Sequence, residues 1–137
     1  MNDQLLRNFS VYYPQEAEHT IAYCYNYQIH ELIFILDNNR VGYYDENDNT
    51  IHYIFEDRNN ISNDEYKVEL GRRLSKLIWY KTTQVELSRN TGITQHMISY
   101  YVTGKSVPSL MNIIKIADAL DCPVDIFMFE FERRATK

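Results

Sequence analysis

Gln95, His96, Ser99 and Tyr100 stand at spacings of one, four and five residues. On a helix over residues 94–103 they share one face, provided that Met97, Ile98 and Tyr101 turn inward. That face carries an amide, an imidazole, a hydroxyl and a phenol, all hydrogen-bonding groups. Nothing comparable supports catalysis elsewhere. His30-Glu31-Leu32-Ile33-Phe34 begins like H-E-x-x-H, but Phe34 occupies the place of the second histidine and no second ligand follows. His19, His30 and His52 read as surface or sheet-face residues. Cys24 and Cys122 lie one in each half without C-x-x-C spacing, as free thiols of a reducing compartment do. The carboxylates of Asp45-Glu46-Asn47-Asp48 lack the glycine that a calcium loop needs. Glycine is scarce, at four residues, and neither G-x-G-x-x-G nor G-x-x-x-x-G-K-[ST] occurs. No enzyme activity, cofactor or metal is expected.

The 137 residues carry a net charge of -5, which read whole argues against a phosphate-rich partner. The balance is uneven. Residues 1–65 hold three basic side chains (Arg7, Arg40, Arg58) against twelve acidic ones, and residues 66–137 hold eleven against seven. A net -9 beside a net +4 indicates two modules with different partners. Met1-Asn2-Asp3-Gln4 has no basic leader pattern, and the longest apolar run, Leu32-Ile33-Phe34-Ile35-Leu36, falls far short of the ~20 residues that span a bilayer. A cytoplasmic location is expected.

The elements that position the polar face divide at the turn-rich stretch 56–63, giving domains of residues 1–61 and 62–137. The first module is acidic and Tyr-rich, with eight of the twelve tyrosines before residue 54. Residues 31–36 and 40–44 flank Asp37-Asn38-Asn39 and predict a β-hairpin, because asparagine tolerates the positive φ of tight turns. Residues 51–55 offer a third strand. Residues 15–23 fit both readings: Ala17, Ile21 and Cys24 at helical spacing, Ile21, Tyr23, Tyr25 and Tyr27 in alternation. The second module is helical throughout. Ser62-x-x-Glu65 and Thr83-x-x-Glu86 are capping boxes. Thr94 and Ser109 cap further helices, Gly92 and Gly104 end two of them, and Pro123 opens a fifth. Leu110, Ile113, Ala117 and Leu120 are expected on one inward face, and Val124, Phe127 and Met128 inward on the last helix. The fold class is α+β: a small N-terminal module with a β-hairpin, then an all-α five-helix domain.

Gln84, Ser88, Gly92, Ile98 and Tyr101 stand where a helix-turn-helix needs an opening residue, a close helix approach, a turn and core anchors. With Gly104-Lys105-x-x-Pro108-Ser109 and Ile116-Ala117-x-Ala119-Leu120, residues 70–127 resemble the Cro/C1-type (XRE-type) helix-turn-helix family of bacteria and phages. The chain is also similar to phage and prophage regulators that carry such a domain after a short acidic segment. It departs from the family at Ser88, where alanine is usual, and at Val102, where an acidic residue is frequent. The resemblance implies that the helix over residues 94–103 enters the DNA major groove, with Gln95, His96, Ser99 and Tyr100 as base-contacting residues. It implies phosphate contacts from Thr83, Gln84, Thr94, Lys105 and Ser106, and a positive field from Arg72, Arg73, Lys76 and Lys81.

The function implied is a sequence-specific DNA-binding transcriptional regulator, a repressor of phage or mobile-element type. A homodimer on a palindromic operator would read two half-sites. Two dimerisation surfaces are available: the Tyr-rich hairpin, and the C-terminal segment in which Phe129 and Phe131 exceed what a five-helix domain covers. The alternative for Phe129 and Phe131 is packing on the acidic module. That module has two readings. It dimerises or senses as an accessory to repression, or it binds a protein, as a DNA mimic or antitoxin would, while the helix-turn-helix autoregulates the operon.

Overall fold

The computed structural model describes residues 3–127. They fall into two compact units, one ending at Ile61 and the other beginning at Ser62. Met128, Phe129 and Phe131, which the sequence assigns to packing or a dimer surface, lie outside the described residues.

The first unit opens with α1 (Asp3–Tyr12), α2 (Pro14–Glu18) and four antiparallel strands in sequential order. These are β1 (Thr20–Asn26), β2 (Glu31–Leu36), β3 (Val41–Asp45) and β4 (Thr50–Phe55). The sheet therefore exceeds the expected hairpin and third strand by one further strand, β1. The ambiguous stretch 15–23 turns out to be both elements in succession. Pro14 pre-sets the first turn of α2, and the Thr20 hydroxyl donates to the Glu16 carbonyl at 2.7 Å where the helix gives way to strand. Each turn carries a non-glycine residue at positive φ: His30 at 57°, Asn39 at 71° and Asn49 at 59°. Asn38 Oδ1 accepts from the Arg40 amide and Asp48 Oδ1 from the Thr50 amide, the side-chain mimicry of a turn that asparagine and aspartate permit.

Leu5 and Phe9, one turn apart on α1, meet Leu32, Phe34, Leu36 and Tyr44 in a buried cluster. Phe9 stacks on Phe34 at 4.9 Å and leans on Tyr44 at 5.8 Å. Gly42 lies under the Phe34 ring: a Cβ there would stand 2.7 Å from Phe34 Cζ and 2.8 Å from the His52 carbonyl oxygen.

The second unit contains α3 (Asn63–Lys81), α4 (Gln84–Thr91), α5 (Gln95–Val102), α6 (Leu110–Ala119) and a closing 3₁₀ helix (Val124–Phe127) in the place of the fifth α-helix. Ser62 and Glu65 form the full capping box on α3. At α4 only the Thr83 half forms, because the Glu86 carboxylate turns to Arg89. Gly92 at φ 76° and Gly104 at φ 75° end α4 and follow α5. The inward residues include Leu70, Leu74, Leu87, Ile98, Ile113 and Phe127.

Three inward expectations are corrected. Leu110 is 63% exposed, and Ile116 takes a place in the core with Ile113, Ala117 and Leu120. Leu110 begins α6 with no preceding turn to press it inward. Met97 is only half-buried on α5, and Val124 is half-buried while Ile126 is buried in the 3₁₀ helix, whose three-residue turn faces different side chains inward.

Candidate nucleic-acid interface

The residues of α5 sort cleanly. Ile98 and Tyr101 are buried, Gln95, His96 and Tyr100 are exposed, and Ser99 is half-buried. Thr94 caps the helix by accepting from the Met97 amide at 3.2 Å, so Gln95 and His96 project from its first turn. The face is partly preorganised. The rings of His96 and Tyr100 lie 4.4 Å apart at 48°, as residues four apart on a helix can. The Lys105 ammonium sits 5.4 Å from the Tyr100 ring centroid, a cation–π contact at an exposed site. Lys105 is in turn held by its amide, which donates to the Tyr100 carbonyl at 2.9 Å.

Three contacts seat the helix. Ser88 Oγ donates to the Ile93 carbonyl at 2.6 Å and closes the turn between α4 and α5. Asn112 Nδ2 on α6 donates to the Tyr101 hydroxyl at 3.0 Å, at the inner side of α5. Gly71 on α3 lets α5 come close enough that a Cβ would stand 2.5 Å from the Tyr101 carbonyl oxygen. Asn112 and Gly71 were missed by the sequence reading. Each acts across a long separation in the chain, and the only signal was a glycine in the middle of a helix.

Around this face, Thr83 and Lys105 are exposed and Gln84 and Ser106 half-buried. Gln84 is the first residue of α4, and the Thr83 hydroxyl accepts from the Glu86 amide at 3.1 Å. The caps on α4 and α5 leave helix ends whose remaining N–H groups favour an anion.

The basic residues of α3 are used differently from expectation. Arg73 is 3% exposed and pairs with the buried Glu69 carboxylate at 2.6 Å, and it also donates to the Ile126 carbonyl at 2.8 Å. Arg72 binds the other Glu69 oxygen at 2.7 Å. Burial alone would push the Glu69 carboxyl up, but the hydrogen bond from Arg72 and the charges of Arg73 and Arg72 outweigh it and hold the group below its ordinary value. Lys81 Nζ donates to the Leu120 carbonyl at 2.8 Å. Arg73 and Lys81 fasten α3 to the C-terminal part of the unit, while Arg72 and Arg73 together neutralise the buried Glu69, whose charge would be costly unpaired.

In the first unit, His30 approaches Glu46 at 3.8 Å, and the Tyr25 hydroxyl donates to the same carboxylate at 2.7 Å. Among the described residues no group of three or more His, Cys, Asp or Glu side chains converges on a metal site. No helix among them is long and apolar enough to cross a membrane. Burial raises the Cys122 thiol above its ordinary value.

A helix-turn-helix family model matches residues 75–127. Among solved structures, the restriction-modification controller protein C.AhdI from Aeromonas hydrophila is 30% identical over 44% of this chain and 92% of that one, with a TM-score of 0.42. An HTH_3 family transcriptional regulator from Vibrio cholerae is 19% identical over 53% of this chain and 42% of that one, with a TM-score of 0.48. No curated protein matches the chain.

Proposed function

From its membership of the Cro/C1-type helix-turn-helix family, which it holds through residues 75–127, we propose that the chain is a DNA-binding transcriptional regulator. The observation that carries this reading is the outer face of α5. Gln95, His96, Ser99 and Tyr100 lie together on a capped helix with no acidic residue in its first turn. Gln95 can pair bidentately with adenine N6 and N7, and His96 can donate to a guanine acceptor. Ser99 donates or accepts at either, and Tyr100 meets a phosphate or a thymine methyl. Thr83, Gln84, Thr94, Lys105 and Ser106 supply phosphate contacts that set the register without reading sequence.

The finer reading is a cytoplasmic repressor of phage or mobile-element type, acting as a homodimer on a palindromic operator. In this reading residues 62–137 bind DNA and residues 1–61 make the protein contacts. The alternative reading gives the exposed carboxylates of the first unit to a protein partner, as a DNA mimic or antitoxin would use them. Glu18, Asp37, Glu56 and Asp57 lie at one end of the sheet and Asp48 at the other. Asp37 and Glu56 are paired with His19 and Arg40.

The test is selection of bound sequences from random DNA, followed by Gln95→Ala with His96→Ala at the recovered site. Each lost base contact should weaken specific binding by ~1–3 kcal/mol while the circular dichroism spectrum stays unchanged. About five phosphate contacts should give a salt slope of roughly -4 to -5 in log–log terms. Undiminished specific binding by the double variant would move the reading face elsewhere.

A further inference from the structure

Among the described strands, β1 and β4 are the two edges of the sheet. An edge strand offers main-chain donors and acceptors to any extended chain, and native edges are blunted by charges, proline or bulges. β1 carries no charged residue and no proline. Its one irregularity lies between Thr20 and Ala22, and from Ala22 to Asn26 its register is regular. Alternate side chains along it are aromatic. Tyr23 stands opposite Phe34 and Tyr25 opposite Leu32, and the Tyr27 ring meets the Tyr25 ring edge-on at 4.5 Å. Ile21, Tyr23 and Tyr27 are 52%, 37% and 61% exposed. The edge at β4 is different. Its Ile51 and Tyr53 pack on the core cluster, Arg40 covers the Tyr53 ring, and none of its large apolar residues is exposed.

We infer that β1 is the docking edge for an extended, basic-ended segment of a different protein, which adds to the sheet as a further strand along residues 22–26. The inference rests on the reading that residues 1–61 make the protein contacts, and it names where they are made. Charge selects the occupant. Residues 8–39 contain no lysine or arginine. Glu16 and Glu18 immediately precede β1, and at its far end the Glu46 carboxylate accepts from the Tyr25 hydroxyl at 2.7 Å. A second copy of β1 would therefore set carboxylate against carboxylate in either strand direction. A segment with lysine or arginine at both ends meets an acid at each. Between those ends, main-chain hydrogen bonds give the affinity, and apolar side chains two residues apart pack beside Tyr23 and Tyr25.

The experiment starts from a displayed library of random short peptides, selected on the full chain. Enriched peptides should alternate apolar residues between basic ends. One of them, synthesised and followed by fluorescence anisotropy, is then N-methylated one amide at a time. Methylation at alternate amides should weaken binding about tenfold, and at the amides between them far less. That period of two is read from the peptide, so no folding defect in the chain can imitate it. Tyr23→Lys, with unchanged circular dichroism, should weaken binding about tenfold or more, and Glu18→Lys by up to about fivefold. Even sensitivity to methylation, or equal binding by Tyr23→Lys, overturns the inference and leaves the reading of residues 1–61 standing. So does a consensus without basic ends. A dimer that Tyr23→Lys dissociates gives the edge to a second copy and overturns it as well. A library from which nothing is enriched removes both the inference and that reading.

Discussion

In the helical unit most turns are closed by a group from a few residues away. Ser62 binds the Glu65 amide, Thr83 the Glu86 amide, Thr94 the Met97 amide and Ser109 the Asn112 amide. The Ser88 hydroxyl donates to the carbonyl of Ile93, and Gly92 supplies the left-handed residue between α4 and α5. In the sheet unit the turns are local too, but the core is closed from far along the chain. Phe9 packs on Phe34 and Tyr44, and the Tyr13 hydroxyl donates to the Asn49 carbonyl at 2.8 Å. The Arg40 guanidinium lies 3.6 Å from the Tyr53 ring centroid. Local closure makes element boundaries robust to single changes, whereas remote closure concentrates stability in a few large side chains.

The largest expected effect follows from that concentration. Phe9→Ala removes a fully buried ring that α1 contributes to the sheet, and should cost ~3–5 kcal/mol. Hydrogen exchange of the amides in β2 and β3 reads it directly. A cost below about 1 kcal/mol would mean that the sheet holds without its helix, and the contrast between the units would fail.

Gly71→Ala is next and tests the helical unit against its own local logic. Helix propensity alone predicts a gain of about 1 kcal/mol. The approach of α5, with the Tyr101 carbonyl oxygen 2.5 Å from the new Cβ, predicts instead a loss of ~1–3 kcal/mol and weaker DNA binding. The sign of the change in a denaturant titration decides which controls the site.

Thr94→Ala should cost ~1 kcal/mol through the lost cap, with faster hydrogen exchange at the first turn of α5. Uniform acceleration across both units would contradict local closure.

The smallest effect concerns His19. Its hydrogen bond to Asp37 at 2.9 Å, and then the charge of that carboxylate, raise its pKa above the ordinary histidine value. The contact therefore supports the fold fully below the unfolded-state value and is lost as pH rises through the raised one. Both partners are exposed, so the imidazole titration followed by NMR should shift down in Asp37→Asn with almost no change in thermal midpoint.

The same contrast explains what could be read in advance. Caps, glycine turns and the polar face of residues 95–100 are patterns within about one helical turn, and they were legible. The asparagine turn at Asn39 was legible for the same reason, since one residue's tolerance of positive φ decides it. Residues 15–23 were not, because helix and strand patterns overlap there and the choice depends on pairing with β2. Leu110 was misread because periodicity assigns an apolar residue to a face without knowing which face is covered. Arg73 was misread as surface charge because the Ile126 carbonyl that it reaches comes close only on folding.

By itself the sequence determined the order of the helices, the turn between α4 and α5 and the chemistry that α5 presents, because each depends on neighbours in the chain. Tertiary structure alone decided how α5 is seated, through Gly71 and Asn112, and that Leu110 stays outside the core. Those depend on contacts between segments more than ten residues apart, whose cost and gain appear only when the chain brings them together.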